Sequence, residues 1–287
     1  MVAASYPTTH RKTGDRTPSW LARLLATRRP LVMGILNLTP DSFSDGGQFV
    51  DPGVAIAHAR RMIAEGADII DIGAESTRPY GGAVRVSADE ERRRLAPVLG
   101  AVCALGTPVS IDTMKAEIAG WALEHGAAMV NDVWGLQRDP GMAAVVSKHH
   151  TPVVIMHNRD SADPAIDIIA DIETFFARSL SIARAAAIPD DCIVLDPGIG
   201  FGKTPQQSLE ALARLERFTS SGLPLMVGAS RKRFIDKLSP APPDRRLGGS
   251  IAAHVLAMLN GAAILRVHDV AETVQALKVA AAIREHS

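Results

Sequence analysis

The sequence is poor in cysteine, aromatic residues and net charge, and each scarcity excludes a class of protein. Its 287 residues include two cysteines, Cys103 and Cys192, which lie far apart without metal-ligand or redox spacing. A disulfide scaffold is therefore excluded, and a reducing, cytoplasmic location is expected. Basic and acidic residues number 31 each, so the chain lacks the basic surplus that is typical of nucleic-acid binding.

Long apolar runs are also lacking. No stretch approaches the roughly 20 apolar residues that a membrane-spanning helix requires. The first eighteen residues are polar and lack the apolar core of a secretory signal. Residues 1–18 are therefore predicted to be a flexible N-terminal arm, and residues 19–287 a single domain.

Short apolar runs alternate with helical patterns from Leu31 to the end of the chain. The eight runs are LVMGILN, DIIDIG, PVSID, MVND, VVIMHN, IVLDPG, PLMVGAS and AAILRVHD. Strands alternating with helices indicate a parallel sheet, and continuous rather than alternating apolarity indicates strands buried on both faces. Eight such units predict an α/β fold, the (β/α)₈ TIM barrel.

An open, doubly wound sheet is the alternative. Every run ends in or beside a polar residue, as shown by Asn37, Asp71, Asp112, Asn131, His157, Asp196, Ser230 and Arg266. In a barrel all these ends converge on one mouth, where active sites lie. An open sheet would concentrate them near one switch point instead, so the pattern favours the barrel.

The stretch LDPGIGFGKT resembles a phosphate-binding P-loop but fails its spacing. That motif requires a glycine at position 197, where this chain has proline. The glycines also miss the dinucleotide-binding spacing, because Gly198, Gly200 and Gly202 are two apart. Nucleotide hydrolysis is therefore disfavoured, although a tight glycine turn does not explain why Asp196 follows a buried strand.

Two carboxylates and an amide are predicted to form one wall of the mouth. Asp112, Asp196 and Asn131 end three different strands, and a buried carboxylate requires a partner. Such a wall suits a flat, donor-rich heterocycle with a guanine-like edge, to which Lys232 could donate from across the barrel. A ligand-free salt bridge among Asp112, Asp196 and Lys232 remains the alternative.

Other strand ends point to an anion beside this heterocycle. Arg266 and His268 lie together in RVHD, where they could hold a phosphate. Asn37 and Asp45 are oxygen ligands, and Mg²⁺ commonly takes one or two such ligands plus phosphate oxygens. The site is therefore predicted to have a heterocycle end and a phosphate end.

Seven ordered motifs resemble the dihydropteroate synthase family. They are MGILNLTPDSFSDGG, DIGAESTRP, SIDTMK, VNDV, LDPGIGFGKT, ASRKRFI and RVHDV, and they extend over residues 31–283. The resemblance implies a TIM barrel that joins 4-aminobenzoate to 6-hydroxymethyl-7,8-dihydropterin diphosphate and releases diphosphate. It also implies a homodimer, a Mg²⁺ cofactor and competition by sulfonamide analogues of the aminobenzoate.

The resemblance assigns a pterin pocket to Asp112, Asn131, Met156, Asp196, Phe201 and Lys232. In the family's arrangement Asp196 takes the 2-amino and N3 edge, and Asn131 takes the adjoining ring nitrogens. Asp112 takes the N8 side and Lys232 the O4 and N5 side. Met156 and Phe201 pack on the ring.

The remaining roles follow from the same resemblance. The diphosphate site is expected to contain Asn37, Thr77, Arg266 and His268, with Mg²⁺ on Asn37 and Asp45. The aminobenzoate site is expected to contain Phe43, Thr77, Arg78, Pro79 and Ser230. The residues expected to act in catalysis are Lys232, Asp112, Arg266, His268 and Asn37, in an SN1-like displacement closed off from water by two loops.

The chain departs from the commonest family pattern in the second of these loops. Ala74 stands where a second glycine is frequent, and the segment after Pro79 is about two residues longer than usual. A pterin-dependent methyltransferase and an inactive pterin-binding paralogue are the competing hypotheses. The methyltransferase would leave Asn37, Asp45 and the SRK segment without a role, and the intact loop motifs argue against the inactive paralogue.

Overall fold

The computed structural model describes residues 19–27, 29–39, 51–75 and 86–286, and the strands among them close into one parallel barrel. The strands are β1 (Leu31–Asn37), β2 (Ile69–Gly73), β3 (Val109–Asp112), β4 (Met129–Asp132), β5 (Val153–Met156), β6 (Ile193–Asp196), β7 (Leu225–Val227) and β8 (Ala262–Val267). β8 pairs with β1, with Met33 opposite Arg266. This closure confirms the predicted (β/α)₈ barrel and rules out an open sheet.

Helices follow the strands in the expected alternation. They are α1 (Trp20–Leu25), α2 (Pro52–Ala64), α3 (Ala88–Leu95), α4 (Leu99–Cys103), α5 (Ala116–Glu124), α6 (Met142–His149), α7 (Ile168–Ala185), α8 (Pro205–Ala213), α9 (Arg233–Leu238), α10 (Leu247–Leu259) and α11 (Val270–Glu285). Among the described residues, no helix is both long enough and apolar enough to cross a membrane.

The helical pattern EERRRLAPVLGAVCALG forms two helices rather than the one that its length predicts. α3 ends at Leu95 and α4 begins at Leu99, with Pro97 between them. Proline has no N–H to donate and its ring clashes with the preceding turn, so the helix ends there.

The apolar residues form two cores. The outer core lies between the strands and the surrounding helices. The inner core fills the barrel with side chains that include Leu31, Met33, Ile69, Met129, Val154, Val194, Met226 and Ile264. Leu21 of α1 joins this inner core and is fully buried, so α1 covers one end of the barrel. The other end remains for the site.

Candidate active site

The two-residue alternation of side chains along each strand places several polar strand ends on the inner face of the barrel. Side chains two residues apart on a strand point to the same face. Asn131 follows the inner-core residue Met129 by two positions, and Asp196 follows Val194 in the same way. The same spacing places Asp71, Met156 and Arg266 directly above the inner core, at the carboxyl end where TIM-barrel sites lie.

Four of these side chains form one hydrogen-bonded network across the mouth. Arg266 donates from Nε to Asp71 Oδ2 at 2.6 Å and from Nη2 to Asp112 Oδ2 at 2.8 Å. Asn131 donates from Nδ2 to the same Asp71 oxygen at 2.9 Å. Asp71 is fully buried, and it orients both the guanidinium and the amide. Asp71 is one of the polar strand ends, but no sequence motif predicted a role for it.

Three acceptor oxygens of this network are left for a ligand. Asp71 Oδ1, Asp112 Oδ1 and Asn131 Oδ1 are buried and have no hydrogen-bond partner within the described part of the chain. A buried acceptor without a partner costs about 1–3 kcal/mol, so such groups in a native protein call for an explanation. A ligand that brings N–H donors to this wall would satisfy them, as the sequence analysis expected for Asp112 and Asn131.

The alternative of a ligand-free salt bridge through Lys232 is wrong. Among the described residues, the ion pairs of Asp112 and Asp71 are both with Arg266, and none joins Lys232 to an aspartate. Lys232 Nζ instead donates to the carbonyl of Ile199 and lies 4.6 Å from the centre of the Phe201 ring. Lys232 and Phe201 are thereby brought together, as the pterin-pocket prediction requires.

Burial sets the charge state of the pocket. Desolvation raises the pKa of Asp112 to about 7, although the attraction of Arg266 opposes the rise. Desolvation also raises the pKa of Asp196 and lowers that of Lys232 to about 8. Asp112 is thus poised to gain or lose a proton near neutral pH, and perturbed groups of this kind are typical of functional sites.

The glycine-rich turn after β6 fixes the carboxylate of Asp196, and its geometry requires a glycine at position 198. Gly198 donates its N–H to Asp196 Oδ1 at 2.7 Å, which fixes the carboxylate. Gly198 has a φ of 65°, and a side chain there would place a Cβ 1.9 Å from the carbonyl oxygen of His157. The glycine is therefore required for close packing against the end of β5, which accounts for the P-loop-like spelling without a nucleotide.

Ser230 and His268 meet beyond the ends of the neighbouring strands β7 and β8. Ser230 Oγ lies 2.9 Å from His268 Nδ1 and accepts the backbone N–H of His268 at 3.3 Å. Next to them Arg231 forms a two-point ion pair with Asp269, at 2.5 and 3.1 Å. Ser230, predicted for the aminobenzoate site, and His268, predicted for the diphosphate site, therefore share one hydrogen-bonded corner.

The structure locates Asn37 but not the rest of the two loops. Asn37 ends β1, half-buried and opposite Gly73 of β2. The predicted residues Phe43, Asp45, Thr77, Arg78 and Pro79 lie outside the described residues. Their roles remain predictions.

A charged cluster that no sequence motif predicted flanks residues 76–85. Lys115 Nζ contacts Glu75 Oε2 and lies 2.6 Å from Glu91 Oε2. Glu75 is the last described residue before residues 76–85, and Glu91 lies in α3 just after them. Lys115 therefore ties together the two described ends of the chain on either side of this segment.

The family assignment agrees with this geometry. The model of the pterin binding enzyme family matches residues 33–268 of the chain, which include all eight strands except the start of β1. The chain belongs to the pterin-binding enzyme family.

Individual relatives narrow the assignment. A dihydropteroate synthase of Clostridium beijerinckii is 46% identical over 253 residues, which are 88% of this chain and 93% of that protein. The structure of Xanthomonas albilineans dihydropteroate synthase with 4-aminobenzoic acid has a TM-score of 0.85 and 44% identity, over 89% of this chain and 93% of that one. The Yersinia pestis dihydropteroate synthase with a sulfonamide drug complex has a TM-score of 0.84 and 41% identity, over 91% and 96%. These similarities place the chain among the dihydropteroate synthases.

Proposed function

We propose that the chain condenses 6-hydroxymethyl-7,8-dihydropterin diphosphate with 4-aminobenzoate to give 7,8-dihydropteroate and diphosphate, a transferase reaction of folate biosynthesis. The observation that carries the proposal is the set of three buried acceptor oxygens, on Asp71, Asp112 and Asn131, that lack partners within the described residues. A pterin ring supplies N–H donors along one edge, and the family is one of pterin-binding enzymes.

The first substrate would lie flat across the barrel mouth. Asp196, oriented by Gly198, would accept from the 2-amino group and N3, while Asn131 and Asp112 would bind the neighbouring ring nitrogens. Lys232 would donate to O4, since its ammonium already donates to a carbonyl, that of Ile199. Hydrogen bonds to these ionised side chains would be charge-assisted, and such bonds are stronger than those between neutral groups.

The diphosphate would lie toward Asn37, Arg266 and His268. Arg266 is held in place by its two carboxylate partners, because the attraction of Asp71 and Asp112 more than offsets burial and raises its pKa. It therefore stays charged at any physiological pH. A fixed cation of this kind stabilises negative charge that develops on a leaving group without having to reorganise.

The residues present fit a Mg²⁺ ion that binds with the substrate. Asn37 offers an amide oxygen, and among the described residues no cluster of three or more His, Cys, Asp or Glu could hold a metal by itself. Mg²⁺ typically keeps waters and takes only one or two protein oxygens beside substrate phosphates. Held by Asn37 and Asp45, the ion would supply Lewis-acid neutralisation of the diphosphate.

The reaction would be a dissociative displacement. The bond between the methylene carbon and the diphosphate oxygen breaks, and its electron pair leaves with diphosphate. The electron-rich dihydropterin delocalises the resulting positive charge, and the carboxylates of Asp112 and Asp196 stabilise it. The neutral arylamine then bonds to the methylene carbon and loses a proton, while Phe43, Thr77, Arg78, Pro79 and Ser230 would hold the aminobenzoate and exclude water.

Sulfonamide analogues of 4-aminobenzoate would compete for the second site, as the similarity to a sulfonamide-binding relative indicates. A homodimeric assembly and a cytoplasmic location belong to the same proposal and rest on the family resemblance and the cysteine content.

The decisive experiment measures diphosphate release by the purified chain. We expect release only when the pterin diphosphate, Mg²⁺ and 4-aminobenzoate are all present, with 7,8-dihydropteroate formed in equal amount. Diphosphate release that does not depend on 4-aminobenzoate, or no release at all, would overturn the proposal. Titration with a sulfonamide in the same assay should raise the KM for 4-aminobenzoate and leave kcat unchanged.

A further inference from the structure

Among the described residues, the largest fully buried side chain belongs to a lysine. Lys203 ends the glycine-rich turn after β6 and is 0% exposed. A buried ammonium is costly unless it is hydrogen-bonded or paired, so its position requires an explanation. Neither the strand-end pattern nor the proposed reaction uses this residue.

Lys203 is surrounded by three acceptors. Its Nζ lies 2.6 Å from His157 Nδ1, 2.9 Å from the carbonyl oxygen of Gly198 and 3.1 Å from that of Phe201. Burial lowers the pKa of Lys203 well below its ordinary value, but an ammonium has three N–H donors and no acceptor, so these three partners match its charged form. A neutral amine would turn its lone pair toward one of the acceptors.

The imidazole of His157 completes the arrangement. Burial, followed by the charge of Lys203, lowers the pKa of His157 to about 3, so the ring is neutral. With Nδ1 accepting from Lys203, the ring carries its proton on Nε2 and donates it to Asp171 Oδ2 at 2.9 Å. Asp171 in turn accepts from Arg159 at 2.8 Å. A continuous set of polar contacts thus runs from the helix α7 to the glycine-rich turn.

The two carbonyl groups that accept from Lys203 belong to the glycine-rich turn, the segment that builds the pterin pocket. Gly198, whose carbonyl accepts from Lys203, donates its N–H to Asp196. Phe201, whose carbonyl also accepts from Lys203, presents its ring to Lys232. Between them, the carbonyl of Ile199 accepts from Lys232 itself. The backbone of one short turn therefore sets the orientation of Asp196, Phe201 and Lys232 together.

We propose that Lys203, braced by His157 and Asp171, is a positioning residue that fixes the glycine-rich turn in the shape that binds the pterin ring. Lys203 itself touches neither substrate. This inference rests on the proposed function, since it concerns how the pterin pocket of that reaction is formed.

The test measures binding of 6-hydroxymethylpterin by calorimetry to the wild-type chain and three variants. Lys203→Met keeps the length of the side chain but removes all three donors, leaving two buried carbonyls without them. We expect its Kd for the pterin to rise about tenfold or more. Asp171→Asn, at the partly exposed end of the network, should fold normally and raise the Kd roughly threefold.

Asp167→Ala is the matched control on the same helix. Asp167 caps α7 by accepting from the N–H groups of Ile169 and Ala170, so removing its side chain should lower the melting temperature while the side-chain contacts of the network are kept. We expect its Kd for the pterin to equal that of the wild type. This control separates loss of positioning from loss of stability.

Steady-state kinetics supply the second measurement. With the pterin diphosphate saturating, the KM for 4-aminobenzoate should change by less than about twofold in Lys203→Met, because the described contacts of Lys203 lie on the pterin side. Wild-type Kd values in both Lys203→Met and Asp171→Asn would overturn the positioning role. Equal losses for both substrates, or a loss matched by Asp167→Ala, would make the role of Lys203 merely structural and overturn the inference too. Failure of the wild-type chain to bind the pterin would instead refute the proposed function.

Discussion

Replacing Asp112 by asparagine should stabilise the fold while it weakens pterin binding. Burial raises the pKa of Asp112 from its ordinary 3.8 to about 7. Between these values the folded chain keeps a proton that the unfolded chain releases, so the stability of the wild type falls as pH rises. Asparagine has no proton to lose and escapes this cost.

The magnitude follows from the pKa. A rise of about 3 units corresponds to a cost of about 4 kcal/mol above pH 7, and coupling to Arg266 and Asp71 makes about 2–4 kcal/mol the working range. The amide oxygen can keep the contact with Arg266 that Asp112 Oδ2 makes at 2.8 Å. Its NH₂ then replaces Oδ1, which has no partner within the described residues. A gain of this size would raise the melting temperature by roughly 4–10 °C.

The same NH₂ explains the loss of function. It would face the donor groups of the pterin, so one charge-assisted hydrogen bond is lost and the affinity should fall roughly 10- to 100-fold. The assay is thermal and denaturant unfolding at pH 5 and pH 8, together with calorimetry at pH 8. The stability gain should be smaller at pH 5 than at pH 8 by at least about 1 kcal/mol.

The control is Asp160→Asn, which makes the same chemical change at a carboxylate whose side chain is 78% exposed. Its stability should stay within about 0.5 kcal/mol of the wild type at both pH values. If Asp112→Asn lost stability at pH 8, or gained the same amount at both pH values, burial of the charge would not be the cause and the reasoning would be refuted.

Three further predictions test other parts of the site. Lys232→Ala should weaken pterin binding and slow turnover together. Because desolvation lowers the pKa of Lys232 to about 8, the affinity of the wild type should decline above that pH, whereas the affinity of the variant should not. Unchanged affinity and rate would contradict the pocket assignment. Asp196→Asn should cost more pterin affinity than Asp112→Asn by calorimetry, because its one remaining oxygen must serve both the N–H of Gly198 and the ring; equal, small losses would argue against the edge-on contact. Deleting residues 39–46 should spare pterin binding but abolish the use of 4-aminobenzoate. Arg78→Ala should raise mainly the KM for the aminobenzoate. Equal effects of either change on both substrates would show that the two sites are not separable.

The barrel and much of its mouth could be predicted because both follow from short-range patterns. Two strands, β1 and β4, have the boundaries that the apolar runs predict, and the strands from β5 to β8 each end two or three residues before the end of their run. The polar ends were informative because closing eight parallel strands brings all their carboxyl ends to one place. No knowledge of side-chain contacts was needed for that step.

The contacts themselves depend on distances across the barrel, which no local pattern encodes. Asp71 and Arg266 are separated by 195 positions yet form a 2.6 Å hydrogen bond. A signal was present nevertheless, since Asp71 follows the inner-core residue Ile69 by two positions, as Asn131 follows Met129. Lys203 was missed for a different reason: a lysine in a glycine-rich turn is usually exposed, and only the fold shows that this one is buried.

The electrostatic surroundings of Asp112 disfavour its negative charge in the free protein, and this has a consequence for the proposed reaction. Desolvation is the main cause of the raised pKa of Asp112; the attraction of Arg266 opposes it, and the nearby acids Asp71, Glu91 and Asp132 add to it. The negative charge of Asp112 is therefore incompletely stabilised in the free protein. A dissociative reaction would place new positive charge on the methylene carbon beside this carboxylate. The imbalance that costs stability in the free barrel would then favour the transition state over the bound substrate, which is the differential stabilisation that catalysis requires.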